Sequence, residues 1–285
     1  MPAATPMDGR ALAARVREEL KREIAEFGPV RLATVLVGDD PASHVYIRLK
    51  HKAADDVGIH AIDRRLPGDT SEEELLVLIE ELNGDDSVDG ILVQTPLPPQ
   101  IDEARVMRTI EPVKDVDGLH PFNAGRLFFG QETLVGATPV GVMRLLAEYK
   151  IPVAGARAVV VGRSLIVGRP LAMLLLHANA TVTICHSRTE DLARHTLDAD
   201  ILVAAVGYLG LITTDMVKTG AAVIDVGMNR TEEGLFGDVD QGVADVAGFL
   251  TPVPGGVGPM TIACLLGNAL KAARYRSGEL AFPLI

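Results

Sequence analysis

Val159-Val160-Val161-Gly162-Arg163-Ser164-Leu165-Ile166-Val167-Gly168-Arg169-Pro170 reads as a strand, a glycine turn and the start of a helix. Gly162 can adopt a turn that no side chain would tolerate, and Gly168 permits close backbone approach. The helix start behind them offers free N–H groups and a positive partial charge, which suit a pyrophosphate. The spacing is Gly-x-Ser-x-x-x-Gly and not G-x-G-x-x-G, so the pattern alone fits an ordinary βα loop as well as a dinucleotide site. Context favours the dinucleotide, because the turn opens a run of strand–helix units, where such a fold keeps its phosphate site.

Working outward, short apolar runs predict strands at 158–161, 181–185, 201–206 and 222–226, separated by helices near 170–177, 191–197 and 215–218. A Gly-rich region follows, then a last helix over 259–275. Upstream, Leu12, Val16, Leu20, Ile24 and Phe27 recur at helical spacing over 8–27, and Gly28-Pro29 ends that helix. A strand at 32–37 breaks at Gly38-Asp39-Asp40-Pro41, and Pro41 suits the first turn of a helix running to about 57 and stopping at Gly58. Another strand is expected near 59–66. Ser71-Glu72-Glu73-Glu74 has capping-box form and opens a helix to 82. The run 90–94 reads as a buried strand ending in Thr95-Pro96-Leu97-Pro98-Pro99. Between Pro112 and Pro139 the rhythm fails, which marks a domain junction. Alternation of this kind implies an α/β protein with mainly parallel sheet and helices on both faces.

The 285 residues are 48% hydrophobic and 23% charged, the balance of a globular protein with a sizeable core. Aromatics are 4% and Trp is absent, so aliphatic side chains must fill that core. Cys185 and Cys264 sit in apolar runs and build no disulfide framework, and no Cys/His cluster points to a metal site. A formal net charge of −11 argues against nucleic-acid and anionic-membrane partners. No signal peptide and no bilayer-length apolar run is visible, so the expected location is the cytoplasm.

Enzymes that use NAD usually place Asp or Glu at the end of the strand after the glycine turn, to bind the ribose 2′-OH. Here that strand ends Cys185-His186-Ser187-Arg188-Thr189, with no carboxylate at the tip. Ser187, Arg188 and Arg163 could instead meet a 2′-phosphate, for which arginine's planar fork of donors is suited, so NADP is favoured over NAD. In the first half, Tyr46 and Lys50 share one helix face. A lysine desolvated in a cleft can exchange protons near neutrality, although a helical lysine is more commonly a solvated charge. Gln94 closes a buried strand at the carboxyl edge where parallel sheets keep their sites. Asp115 and Asp117 lie in the turn at the presumed junction, and Pro252-Val253-Pro254-Gly255-Gly256-Val257-Gly258-Pro259 reads as a rigid wall.

Together these residues resemble the bifunctional methylenetetrahydrofolate dehydrogenase/methenyltetrahydrofolate cyclohydrolase family. The matching motifs are Tyr46-Ile47-Arg48-Leu49-Lys50-His51-Lys52, 90–98, 114–123, 161–170, 251–261, and Ile224 to Arg230 with Gly237-Asp238-Val239-Asp240. One departure is Gly136-Ala137-Thr138-Pro139, where the family often has Pro-Cys-Thr-Pro.

The resemblance implies two α/β domains flanking a cleft. Residues 1–118 with 258–285 would form the catalytic folate-binding domain, and 119–257 a Rossmann-like NADP-binding domain, usually in a homodimer. It implies oxidation of 5,10-methylenetetrahydrofolate with NADP, then hydrolysis of the methenyl cation to 10-formyltetrahydrofolate, without a metal. Lys50 would be the general acid/base, Gln94 would orient it, Tyr46 would pack on the folate ring and Asp117 would hold the pterin N–H groups. Gly255 and Gly256 would approach the same substrate, while Gly162, Arg163, Ser164, Ser187 and Met228 would line the NADP side. The alternatives are a monofunctional dehydrogenase of this fold, another two-domain NADP dehydrogenase acting on shikimate-like acids, and a silent NADP-binding sensor.

Overall fold

The computed structural model describes residues 3–282. The chain begins β1 (Thr5–Pro6), α1 (Gly9–Phe27), β2 (Val30–Val37), α2 (Pro41–Val57), β3 (Ile59–Leu66), α3 (Glu72–Gly84) and β4 (Gly90–Val93). It continues α4 (Glu103–Thr109), α5 (Pro121–Phe128), α6 (Ala137–Glu148), β5 (Arg157–Val161), α7 (Gly168–His177), β6 (Thr181–Cys185), α8 (Leu192–Thr196) and β7 (Ile201–Ala204). After a 3-10 turn at Thr214–Met216 come β8 (Ala222–Asp225), β9 (Asn229–Thr231), β10 (Gly234–Phe236), β11 (Phe249–Leu250) and α9 (Val257–Ser277). No helix among the described residues is long and apolar enough to cross a membrane.

The chain divides into two compact units. One comprises Arg15–Gly136 and the residues from Ile262 onward; its parallel sheet has the order β3-β2-β4. Val35, Ile79, Leu82, Ile91, Val106 and Ile110 belong to its core. The other comprises the described residues up to Ala14 with Ala137–Thr261, and carries a parallel sheet of order β1-β11-β8-β7-β5-β6. Its core gathers Val159, Leu202, Ile212 and Val223 among others. The mainly parallel α/β architecture expected from the alternation is present in both, and the β9–β10 hairpin is antiparallel.

Several boundaries follow from local chemistry. Asp40 caps α2, its carboxylate accepting Ser43 N–H at 2.8 Å with Pro41 in the first turn, and Gly58 closes the helix at φ 89°. Ser71 and Glu74 form the expected capping box of α3. Other expectations are corrected. The strand foreseen over 201–206 ends at Ala204, because the N–H groups of Val206 and Gly207 turn to the Asp238 carboxylate, at 2.7 and 3.0 Å. The helix foreseen at 215–218 is only the 3-10 turn; Gly220 follows at φ 81°, leaving too short a segment to sustain α-helix.

The units also differ from the division 1–118 with 258–285 and 119–257. Thr5 N–H and Met7 N–H donate to Gly248 O and Leu250 O at 2.9 and 2.8 Å, which zips the N-terminal residues to the β11 edge. Residues 119–136 go with the β2–β4 unit. There Asn123 Nδ2 donates to Pro112 O and to the Asp115 carboxylate at 2.8 and 2.9 Å, and Lys271 Nζ to Thr133 O at 2.9 Å.

Candidate active site

The first cluster lies wholly in the β2–β4 unit. Lys50 Nζ donates to Gln94 Oε1 at 2.9 Å. Gln94 directly follows β4, where its N–H donates to Val35 O and its Nε2 to Thr95 O, both at 2.8 Å. With Nε2 committed to a carbonyl, the amide oxygen is left to face the lysine. Burial pushes the half-buried Lys50 amine below its ordinary pKa, and the Asp117 carboxylate partly opposes that. Asp117 is raised to about 6, chiefly by burial; Lys50 pulls it down and Asp115 pushes it up. Tyr46 is half-buried one turn before Lys50 on α2.

The loop carrying Asp117 is fixed from several sides. Lys114, 1% exposed, donates from Nζ to Leu82 O, Asn83 O and Asp85 O at 2.8, 2.7 and 2.9 Å, satisfying carbonyls at the end of α3. Its own carbonyl accepts Ile91 N–H at 2.8 Å, which extends the sheet beyond β4. The buried Asp115 carboxylate accepts His120 N–H at 2.8 Å besides the Asn123 amide. Beside Lys50, His51 Nε2 lies 2.7 Å from Oγ1 of the fully buried Thr34, tying α2 to β2. Sequence reasoning passed over Lys114, His51 and Thr34, since each acts on a partner remote in the chain.

The second cluster lies in the other unit, and so do Gly255 and Gly256. Gly162 has φ +127°, and a Cβ there would sit 2.3 Å from Ala205 O; one at Gly168 would sit 2.2 Å from Gly162 O. Only glycine fits at either position, so bare backbone lines the turn before α7. Ser164 Oγ accepts Val167 N–H and Gly168 N–H at 3.2 and 3.3 Å, so its hydroxyl shapes the turn. Arg163 is exposed beside it. At the end of β6, His186 N–H bonds Thr189 Oγ1 at 2.9 Å and Arg188 N–H bonds His186 Nδ1 at 3.1 Å, presenting Ser187 and Arg188 on an exposed tip. Met228 is 49% exposed after β8. Gly255 has φ +121°, and a Cβ at Gly256 would lie 2.7 Å from Thr251 Cβ, so the Pro-Gly loop is as constrained as its composition indicates.

Two buried carboxylates shape this second cluster. The fully buried Asp238 accepts the N–H groups of Val206, Gly207 and Tyr208 at 2.7, 3.0 and 2.8 Å and the Asn229 amide at 3.0 Å. Asp225 accepts Gly227, Asp238 and Val239 N–H at 3.0, 2.9 and 3.0 Å, and burial raises its pKa to about 6. A Cβ at Gly237 would meet Asp225 Oδ2 at 1.7 Å, so the glycines of this motif make room for carboxylates. The glycine cradle, the opening of α7 and the arginine-bearing tip suit a dinucleotide with an extra phosphate. A desolvated amine held by an amide, near a carboxylate of raised pKa, suits proton transfer.

Comparison with known proteins matches a separate domain description over the part of the chain that carries each cluster. Residues 7–117 match the model of the tetrahydrofolate dehydrogenase/cyclohydrolase catalytic domain, and 136–277 that of its NAD(P)-binding domain. The chain is 56% identical over 276 residues to the bifunctional protein FolD of Methanospirillum hungatei, covering 96% of this chain and 99% of that one. Among solved structures, the bifunctional FolD of Campylobacter jejuni is 48% identical with a TM-score of 0.94, covering 96% of this chain and 100% of that one. The Trypanosoma brucei dehydrogenase-cyclohydrolase, solved with NADP and an inhibitor, is 38% identical with a TM-score of 0.92, covering 98% and 100%. With amine, amide and carboxylate in one matched domain and the glycine cradle in the other, the chain belongs to the tetrahydrofolate dehydrogenase/cyclohydrolase family.

Proposed function

We propose that the protein oxidises 5,10-methylenetetrahydrofolate to the methenyl cation with NADP and hydrolyses that cation to 10-formyltetrahydrofolate. The Lys50–Gln94 hydrogen bond carries this reading, because it holds a desolvated amine beside a carboxylate of raised pKa, whereas the structural Lys114 spends its amine on three backbone carbonyls. NADP, when bound, supplies the two-electron acceptor of the oxidation. The chain supplies alignment and proton handling. Gly162 and Gly168 leave backbone open to the pyrophosphate, Arg163, Ser187 and Arg188 meet the 2′-phosphate, and Met228 lines the same side.

In the hydrolysis, water adds to the methenyl carbon and neutral Lys50 takes its proton. Lys50 then returns that proton to the departing ring nitrogen as the C–N bond breaks and the adduct's hydroxyl loses its own proton to solvent to become the formyl carbonyl, so the amine ends as it began and one proton is released. Gln94 holds Nζ in place, and the positive substrate disfavours a second positive charge on Lys50. Asp117 accepts from the pterin N–H groups, Tyr46 packs on the folate ring, and Gly255 and Gly256 bring backbone close to it. A homodimer in the cytoplasm completes the reading.

Absorbance during turnover of 5,10-methylenetetrahydrofolate with NADP tests it directly, through NADPH appearance and methenyl decay. Lys50→Ala should slow methenyl decay by about a hundredfold or more and leave NADP binding intact. Undiminished hydrolysis in that variant would overturn the assignment, and equal use of NAD and NADP by the parent would overturn the choice of cofactor.

A further inference from the structure

We propose that Asn268, on α9, is a positioning residue that sets the pose of Asp117 and thereby the affinity for the folate. The inference rests on Asp117 being the group that holds the pterin. Asn268 is 8% exposed, and its Nδ2 donates to Val116 O at 2.7 Å and to Val135 O at 2.8 Å. The carbonyl of Val116 and the N–H of Asp117 belong to one planar peptide unit. Fixing Val116 O therefore fixes the direction in which the chain enters Asp117.

Gly118 N–H closes the Asp115–Gly118 turn on Asp115 O at 3.1 Å, and Asn268 holds the carbonyl of the turn's central peptide from outside. Lys114 and Asp115 are anchored upstream, by Ile91 N–H on the Lys114 carbonyl and by Asn123 on the Asp115 carboxylate. Val116 packs into the sheet: a Cβ on Gly90 would lie 2.4 Å from its Cγ1. Downstream, Gly118 has φ +64°, and a Cβ there would lie 2.7 Å from Gly136 N and Val135 C. The Asp117 loop and the 135–136 backbone thus run in direct contact, with their carbonyls converging on one amide. A primary amide nitrogen carries two hydrogens, one for each carbonyl. Serine or threonine offers one donor, and aspartate would set a carboxylate against both oxygens. Of the short polar side chains, the amide of asparagine supplies both donors from one nitrogen.

A purely structural amide would lower stability when removed and leave the kinetics of the folded enzyme alone. The positioning role predicts a different pattern. Asn268→Ala should raise KM for 5,10-methylenetetrahydrofolate about tenfold, change kcat much less and leave KM for NADP unaltered. Calorimetric titration of 5,10-methylenetetrahydrofolate without NADP, where no turnover occurs, closes a double-mutant cycle. In an Asp117→Asn background, Asn268→Ala should weaken binding by less than about twofold further, because its effect passes through the carboxylate already lost. An unchanged KM, or a full second tenfold loss in the double variant, would overturn the proposal. If the alanine variant does not fold, Asn268→Gln keeps the donors but displaces them by one methylene, and the same outcomes decide. Failure of the parent to bind the folate, or unimpaired binding by Asp117→Asn, would instead remove the reading of Asp117 itself.

Discussion

Lys50 and Asp117 bear opposite formal charges, yet burial pushes both towards neutrality, lowering the amine and raising the carboxyl to about 6. Each also draws the other back towards its charged form. Two consequences follow for the pH dependence. As pH falls through about 6 Asp117 takes up a proton and loses an acceptor for pterin N–H groups, so KM for the folate should rise on the acid side. In Asp117→Asn that acid rise should vanish. The Lys50 limb of hydrolysis should also move to lower pH, because the negative charge that holds the lysine's proton has gone. Profiles of KM and of kcat/KM for methenyl hydrolysis, parent against variant, check both directions; superimposable profiles would contradict the coupling. The lysine's neighbours were visible in the sequence as separate polar residues, but their meeting was not. Lys50 and Gln94 are 44 residues apart, and only the family resemblance joined them before the structure did.

At the scale of the elements, the ends of β7 and β8 depend on Asp238, whose carboxylate gathers three consecutive N–H groups from Val206 to Tyr208. Asp238→Asn places an N–H₂ group where only acceptors fit, and should cost about 3 kcal/mol of stability. With the loop after β7 loosened, KM for NADP should rise while KM for the folate stays near the parent value; thermal unfolding and steady-state kinetics measure the two effects. A rise confined to the folate would show that the loop does not serve the cofactor side. Local chemistry explains which elements were legible. Pro41 and Gly58 bracket α2, Ser71 and Glu74 open α3, and β3 and β6 have the bounds the apolar runs foretold. The elements that escaped lack such marks. The two residues of β1 pair with β11 across more than 240 positions, and no periodicity fits in so short a strand. In α5 the cap is His120, whose ring accepts Phe122 N–H at 3.0 Å, outside the usual set of capping side chains. Lys114 closes α3 from 29 or more residues away, so nothing near it in the sequence reveals its task.

Across the whole molecule, the side chains assigned to the folate and the residues assigned to NADP fall in different compact units, while Gly255 and Gly256, also assigned to the folate, stand in the cofactor-bearing one. Lys50, Gln94 and Asp117 belong to one, while the glycine turn, the Ser187–Arg188 tip and Met228 belong to the other. Each unit has its own buried cluster, although the chain passes from one to the other inside α1 and again inside α9. A ligand stabilises what it binds by mass action, and at a hundred times its Kd the gain is about 2.7 kcal/mol. Amides that exchange only when the cofactor-bearing unit opens should therefore slow about a hundredfold with saturating NADP. Those in β5, β7 and β8, at Val160, Leu202 and Val223, are the ones to follow. If the units open independently, amides of β2 and β4, at Val35 and Ile91, should exchange at their former rates. Hydrogen exchange with and without NADP reads both sets in one experiment. Equal slowing in the two sheets would mean that the shared helices bind the units into one cooperative whole, and no slowing in either would remove NADP from the glycine turn. Protection confined to the sheet bearing Gly162 is the result expected, because the groups assigned to the dinucleotide all stand on that sheet or the loops leaving it.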